Sequence, residues 1–227
     1  IWRVWHKDWV FETVKKFEKS LILNAADKGF VVRKILVEGR IETSRQDLLR
    51  ALKLESGSPI LAFNADLARI RIETLPWVKK VVVERRLPDL IHLSLSERIP
   101  LAIWQRNGAF SLIDTKGDLI PLKDLTAYTG LIVVVGRDAP ANTVKLFNIL
   151  SEEPQLADRV AAAVRIGGRR WNLHLNNQTE ILLPEKGVDA AWSHLSKLYK
   201  NYEVFFENLK SVDLRLTDRM IILQRRN

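Results

Sequence analysis

From Lys80 to Ser96 the chain alternates apolar and polar positions in two successive runs. Val81 and Val83 interleave with Lys80, Val82, Glu84 and Arg86; then Ile91, Leu93 and Leu95 interleave with His92, Ser94 and Ser96. A period of two gives each run one apolar and one wet face, so the pattern predicts two strands joined through the turn Leu87-Pro88-Asp89-Leu90. His92 is expected on the exposed face, as is His174 further on. Upstream, Val32 to Val37 reads as a short strand followed by a turn at Glu38-Gly39-Arg40. Leu48, Leu49 and Leu52 share an arc of a helix capped either by Thr43 with Gln46 or by Ser44 with Asp47. Glu55 to Pro59 breaks that helix. A second helix, Ala65 to Leu75, starts at the N-cap Asn64 and stops at Pro76. Its Ala65, Ala68, Ile72 and Leu75 face one way and Leu67 and Ile70 nearly the other, which predicts covering on two sides. The order over 31–100 is thus β-α-α-β-β, most simply a three-stranded sheet with both helices on one face.

On either side the pattern changes. Residues 1–30 read as helix with a polar break at Asn24 to Gly29, and Trp2, Trp5 and Trp9 fall on one helical face. That stripe is either a packing seam or a mark of the water–membrane interface. From 101 onward strands dominate: Leu101–Gln105 and Ala109–Asp114 around an Asn107-Gly108 turn, Leu119–Leu122, Leu131–Val135, Val160–Ile166, Arg170–Leu175, Thr179–Leu183, Ser211–Leu216 and Met220–Arg226. Helices are expected over Ala141–Glu153 and Val188–Tyr202. The fold class is therefore α+β.

Composition narrows the function. Lys and Arg exceed Asp and Glu by six to four in residues 1–30, thirteen to nine in 31–100 and seventeen to fourteen in 101–227. The net charge of +9 is thus spread along the chain with both signs interleaved, unlike the concentrated basic face of a nucleic-acid binder. No cysteine is present, which excludes disulfides and thiolate metal sites. The histidines, His6, His92, His174 and His194, are scattered and form no metal-ligand spacing. No phosphate-cradling glycine loop or nucleophile elbow occurs, and Glu152-Glu153 reads as a solvated pair at a helix end. No cofactor, metal, nucleic acid or small-molecule substrate is expected, and no catalytic residue. The longest run without charge, Leu125 to Gly136, is 12 residues, well short of the roughly 20 that span a bilayer. The chain opens on Ile1 rather than Met, so a fragment is expected, with its true N-terminus and any targeting or anchoring segment missing.

Spelling adds what periodicity cannot. Leu75-Pro76-Trp77-Val78-Lys79, Val83-x-Arg85-x-x-Pro88-Asp89 and Leu95-x-Glu97-Arg98-x-Pro100-x-Ala102-x-Trp104 occur in order. Val37-Glu38-Gly39 and Gly57-Ser58-Pro59-Ile60 precede them; Arg169-Arg170-Trp171-x-Leu173, Leu183-Pro184-Glu185 and Val212-Asp213-Leu214-Arg215 follow. This set resembles the FtsQ/DivIB family of bacterial cell-division proteins, in its alphaproteobacterial form, from about residue 31 to the end. The resemblance implies a single-pass inner-membrane protein enriched at the division septum. Its periplasmic part would comprise a helical segment (1–30) following a transmembrane helix outside this chain, a POTRA domain (31–100) and a β domain with flanking helices (101–227).

The resemblance also implies a non-catalytic scaffold that binds FtsB, FtsL and other division proteins and links early with late components. A terminal strand exposes unpaired backbone groups on which a partner strand can add. In the family FtsB is held at the C-terminal strands, which here points to Leu216, Thr217, Asp218, Arg219, Met220, Ile221, Ile222 and Leu223. Arg215 and Arg219 would be salt-bridge donors, and Arg169 and Arg170 further partner contacts. Thr217-Asp218-Arg219 departs from the family pattern in being polar, without an aromatic anchor. A POTRA-bearing component of polypeptide transport is the alternative reading.

Overall fold

The computed structural model describes residues 5–121, 124, 126–216 and 218–225, with side chains from residue 16 onward. Trp2 and the side chains of Trp5 and Trp9 lie outside the described residues. Contacts divide the chain into two units, 1–98 and 99–227. In the first, helix α1 (Trp5–Asp27) runs straight through Asn24, where a break is expected from sequence. Ala25 and Ala26 favour helix enough to carry it past Asn24. It stops at Gly29 (φ +95°), whose left-handed backbone lets Phe30 N–H bond back to Ala25 O at 3.1 Å.

Strand β1 (Lys34–Glu38), helices α2 (Arg45–Leu52) and α3 (Ala65–Ile72), and strands β2 (Val78–Arg86) and β3 (Leu90–Glu97) follow in the expected β-α-α-β-β order. Ser44 settles the capping alternative: its side chain accepts from the Gln46 N–H at 3.2 Å. Asn64 caps α3 by accepting from the Leu67 N–H at 2.9 Å. That helix ends at Ile72, three residues earlier than the pattern suggests. Thr74 and Leu75 instead bond back three residues in tighter turns ahead of Pro76.

The last strand inserts between the first two, giving the order β1-β3-β2 with β3 parallel to β1 and antiparallel to β2. Ile35 and Val37 of β1, Ile91, Leu93 and Leu95 of β3, and Val81 of β2 share one face. Leu48, Leu52, Ala68 and Ile72 of the helices cover it. The second side of α3 is not covered within the unit: Leu67 and Ile70 are each 53% exposed. His92 also corrects its expectation, being only 4% exposed on the face away from the helices. As a residue of the central strand it is roofed from both sides. Its Nδ1 is 3.2 Å from Glu84 Oε2 and its Nε2 3.3 Å from Glu38 Oε2, on the two flanking strands.

One carboxylate holds the β1–α2 connection in place. Glu97, at the end of β3, accepts from the N–H groups of Ile41 (3.0 Å), Glu42 (2.7 Å) and Thr43 (2.8 Å). Burial raises its pKa; the Thr43 side chain and these backbone N–H groups outweigh that and leave it below the ordinary glutamate value. Just before the strap, Gly39 (φ +73°) passes so close to β3 that an added Cβ would lie 2.1 Å from Leu95 O.

The second unit is built on one nine-stranded sheet. Its elements are β4 (Pro100–Arg106), β5 (Ala109–Asp114), β6 (Leu119–Pro121), β7 (Val133–Val135), α4 (Ala139–Leu150), α5 (Pro154–Ala157), β8 (Val160–Ile166), β9 (Arg170–Leu175), β10 (Glu180–Leu182), α6 (Val188–Asn201), α7 (Glu203–Phe206), β11 (Leu209–Asp213) and β12 (Ile221–Gln224). The order is β12-β11-β10-β9-β8-β7-β4-β5-β6. β7 lies parallel to both β4 and β8, and β10 lies parallel to β11; α4 and α5 carry the chain from β7 to β8 and α6 and α7 from β10 to β11, whereas β5 and β6 intervene between β4 and β7. Trp171, Leu173, Ile181 and Val212 project to the side that α4 and α6 cover with Leu146, Leu150, Trp192 and Leu195. Trp192 donates to Leu150 O at 3.2 Å, which ties α6 to the end of α4. Glu153 is bound, where sequence suggests a solvated carboxylate. It accepts from Lys200 and Ser196, each at 2.8 Å, and its carboxyl sits below its ordinary pKa because of Lys200 first.

Glu97→Gln is expected to destabilise the first unit by about 1–3 kcal/mol, since one oxygen that accepts N–H groups becomes a donor facing them. Because the folded pKa is depressed, the charged carboxylate contributes fully above the unfolded value of about 4.3. That contribution is lost as pH falls through the lower folded value. The gap between the two proteins, read from urea unfolding with exchange of the Ile41 to Thr43 amides as local probe, should therefore close in acid.

Candidate partner-binding edge of the nine-stranded sheet

The expected final strands shift when the backbone is traced. The first ends at Asp213, because the Asp213 carboxylate accepts the Arg215 N–H at 3.0 Å in a side-chain-closed turn. Leu214 then donates to Leu182 O at 2.9 Å and is buried. The next strand starts at Ile221, so of the expected edge residues only Ile221, Ile222 and Leu223 lie in β12, with Gln224 added. Arg215, Leu216, Asp218, Arg219 and Met220 form the connection before it, and Thr217 lies outside the described residues.

β12 pairs antiparallel with β11 and terminates the sheet; among the described residues no strand pairs with its other side. Its backbone N–H and C=O groups there form a row to which a further strand could add. All four side chains are exposed, with Ile221 at 51%, Ile222 at 42% and Leu223 at 51%. Three adjacent exposed aliphatics beside unpaired backbone suit a partner strand better than bare solvent. Behind the connection a hollow of about 500 Å³ opens against the start of α6, lined by Ala190, Ala191, His194, Leu214, Leu216 and Met220 among others.

The charged residues sort by sheet face. Register places Ile221 and Leu223 on the same side as Asp213 and Ser211 of β11, Leu182 and Glu180 of β10, and Arg170 and Asn172 of β9. This face lies opposite the one that the helices cover. At its edge Arg215 grips Asp213, with Nε 2.8 Å from Oδ1 and Nη2 2.5 Å from Oδ2, and the positive charge of Arg170 also acts on Asp213. The Arg215 hydrogen bonds are the main reason that the Asp213 carboxyl lies below the ordinary aspartate range; partial burial opposes them. Arg170 and Arg215 are thus brought together. Arg169 is not: it turns toward Glu185, 3.8 Å away, and lines a cleft with Asn142 and Lys145 of α4. Arg219 pairs with the neighbouring Asp218 at 2.8 Å, both well exposed.

Sequence reasoning missed Asp213 as the hub; the Asp-x-Arg spacing in Asp213-Leu214-Arg215 was the available signal. Among the described residues no cluster of three His, Cys, Asp or Glu side chains could hold a metal ion. No helix among them is long and apolar enough to cross a membrane.

The architecture is a POTRA domain followed by a β-rich domain with flanking helices, and sequence comparison agrees. The model of the FtsQ-type POTRA domain matches residues 30–98, and that of the C-terminal part of cell division protein FtsQ/DivIB matches residues 102–215. The chain belongs to the FtsQ/DivIB family of cell division proteins. Cell division protein FtsQ of Rickettsia felis is 35% identical over 206 residues, covering 90% of this chain and 77% of that protein. The protein of the same name from Agrobacterium fabrum is 36% identical over 195 residues, covering 86% of this chain and 61% of its own length. The solved major extracytoplasmic domain of DivIB from Geobacillus stearothermophilus aligns over 48% of this chain and 97% of its own, with 16% identity and a TM-score of 0.37. The C-terminal family match stops at residue 215, so β12 lies beyond it.

Replacing Arg215 by Gln is expected to move the Asp213 carboxyl up toward the ordinary value of about 3.9. A carboxyl ¹³C titration measures this directly, and an unmoved value would mean that Arg215 is not the group that holds Asp213 ionised.

Proposed function

We propose that this chain is the periplasmic part of a non-catalytic scaffold of the bacterial division machinery. It would be carried on a transmembrane helix outside the chain and concentrated at the septum. Residues 1–30 follow the membrane segment, 31–100 form the POTRA domain and 101–227 the β domain. The β domain binds FtsB, and FtsL with it, through β12 and the connection before it, and so links early with late division proteins. The observation that carries this reading is the terminal strand itself: unpaired backbone flanked by three exposed aliphatic side chains. Strand addition uses the backbone for affinity and alternate side chains for selection.

Arg215 and Arg170 beside that edge offer cations to an acidic partner residue. Arg219 offers a third, already matched with Asp218, and Arg169 stands apart on the helix-covered side. Membership of the FtsQ/DivIB family supports the division role. The transport reading finds no support in residues 99–227, whose described strands join one sheet with no repeat of the β-α-α-β-β order.

Ile221→Asp with Leu223→Asp tests the reading against the soluble part of FtsB, by calorimetry. Both side chains are exposed, so the fold and its circular dichroism should persist while Kd rises at least tenfold. Unchanged affinity in the folded double variant would exclude β12 as the docking edge.

A further inference from the structure

A second groove lies in the first unit, between β1 and α2, with a volume of about 380 Å³. Its floor is aliphatic, including Ile35 and Val37 of β1 and Leu48 of α2, and its rim carries Arg33, Arg40 and Arg45. None of the lining residues is acidic. Arg40 donates to a backbone oxygen, that of Thr43 at 3.1 Å, and neither Arg33 nor Arg45 has a carboxylate partner among the described residues. Three arginines around an apolar trough with no internal counter-charge form a surface complementary to an acidic, partly apolar ligand.

Geometry sets that ligand's conformation. β1 is the terminal strand of the order β1-β3-β2, and no strand among the described residues pairs with its outer side. Alternate N–H and C=O groups of Lys34–Glu38 therefore face away from β3. An extended segment laid along them would point every second side chain into the trough. Arg33 precedes β1 and Arg40 follows it, so the cations stand at the two ends of the row. Leu49, which sequence places on the buried arc of α2, is 39% exposed and lines this same trough.

We propose that the β1–α2 groove is a docking site for an extended segment of a partner protein, with aliphatic residues at alternate positions between acidic ends. The site is separate from β12 and stands or falls independently of it. The probe is a fluorescein-labelled, capped peptide of sequence Glu-Thr-Leu-Thr-Val-Thr-Glu, with a Lys-ended twin, titrated into the whole chain by anisotropy and by amide NMR. The acidic peptide should bind and shift amides of 34–38 and 45–52, and the twin should not. Arg33→Glu with Arg45→Glu, both exposed, should weaken the acidic peptide at least tenfold and gain affinity for the Lys-ended one. That exchange of preference cannot come from misfolding. Absent binding, equal binding of both peptides, or shifts confined to 209–224 would overturn the proposal. So would concentration-dependent shifts of the same amides without peptide, which would assign the groove to a second copy of the chain.

Discussion

Three backbone N–H groups converge on one carboxylate at the end of β3, and the first unit is organised around that convergence. Glu97 draws Ile41, Glu42 and Thr43 across the sheet end, so the β1–α2 connection cannot swing free. The next residue, Ser44, then caps α2 and sets where its buried Leu48 and Leu52 meet the sheet. Gly39 makes the approach sterically allowed, since any side chain there would collide with Leu95 O. Charge-assisted bonds of this kind are roughly twice as strong as neutral ones. They also help place two of the rim arginines, Arg40 and Arg45, which flank the strapped residues.

The second unit solves a different problem. A nine-stranded sheet has two edges and two faces, and helices from one side cover only one face. Parallel pairing of β7 with β8 and of β10 with β11 requires crossovers, and α4 to α7 supply these while α4 and α6 also form the covering layer. Trp104, one of the motif residues, donates to Gly136 O at 2.8 Å and so fastens β4 to the end of β7. The β12 edge stays exposed, and the exposed aliphatic residues and paired charges collect there, whereas at the other end of the sheet Ile103, Leu112 and Ile120 are buried on the face opposite the helices. The proposed scaffold role would depend on such surfaces left incomplete.

How much of this was legible depended on range. Alternation in Ile91, Leu93 and Leu95 gave the buried face of β3 because pleat and periodicity are local. Strand order is not local, so nothing in the spelling around His92 told that β3 would become central and bury the imidazole between Glu38 and Glu84. The opposed Leu67 and Ile70 looked like a doubly covered helix, yet within this unit only one layer lies beneath it. At the C-terminal edge the presence of a final strand was readable and the boundaries were not. Asp213 closes a turn with its own side chain, a choice that hydrophobic pattern does not report, so β11 ends three residues before the expected Leu216, while β12 starts at Ile221, one residue after the expected Met220. Arg169 and Arg170 are neighbours in sequence, but the pleat sends them to opposite faces.

The Asp213–Arg215 pair has a thermodynamic corollary. An arginine already gripped by its own carboxylate does not meet an incoming acidic residue as a free charge. The newcomer must share the guanidinium or displace Asp213, exchanging one ion pair for another of similar strength. Such an exchange changes the number of solvent-screened charges little, so ionic strength should govern encounter more than residence. The edge thereby favours partners whose backbone and side-chain spacing fit it over partners that are merely acidic.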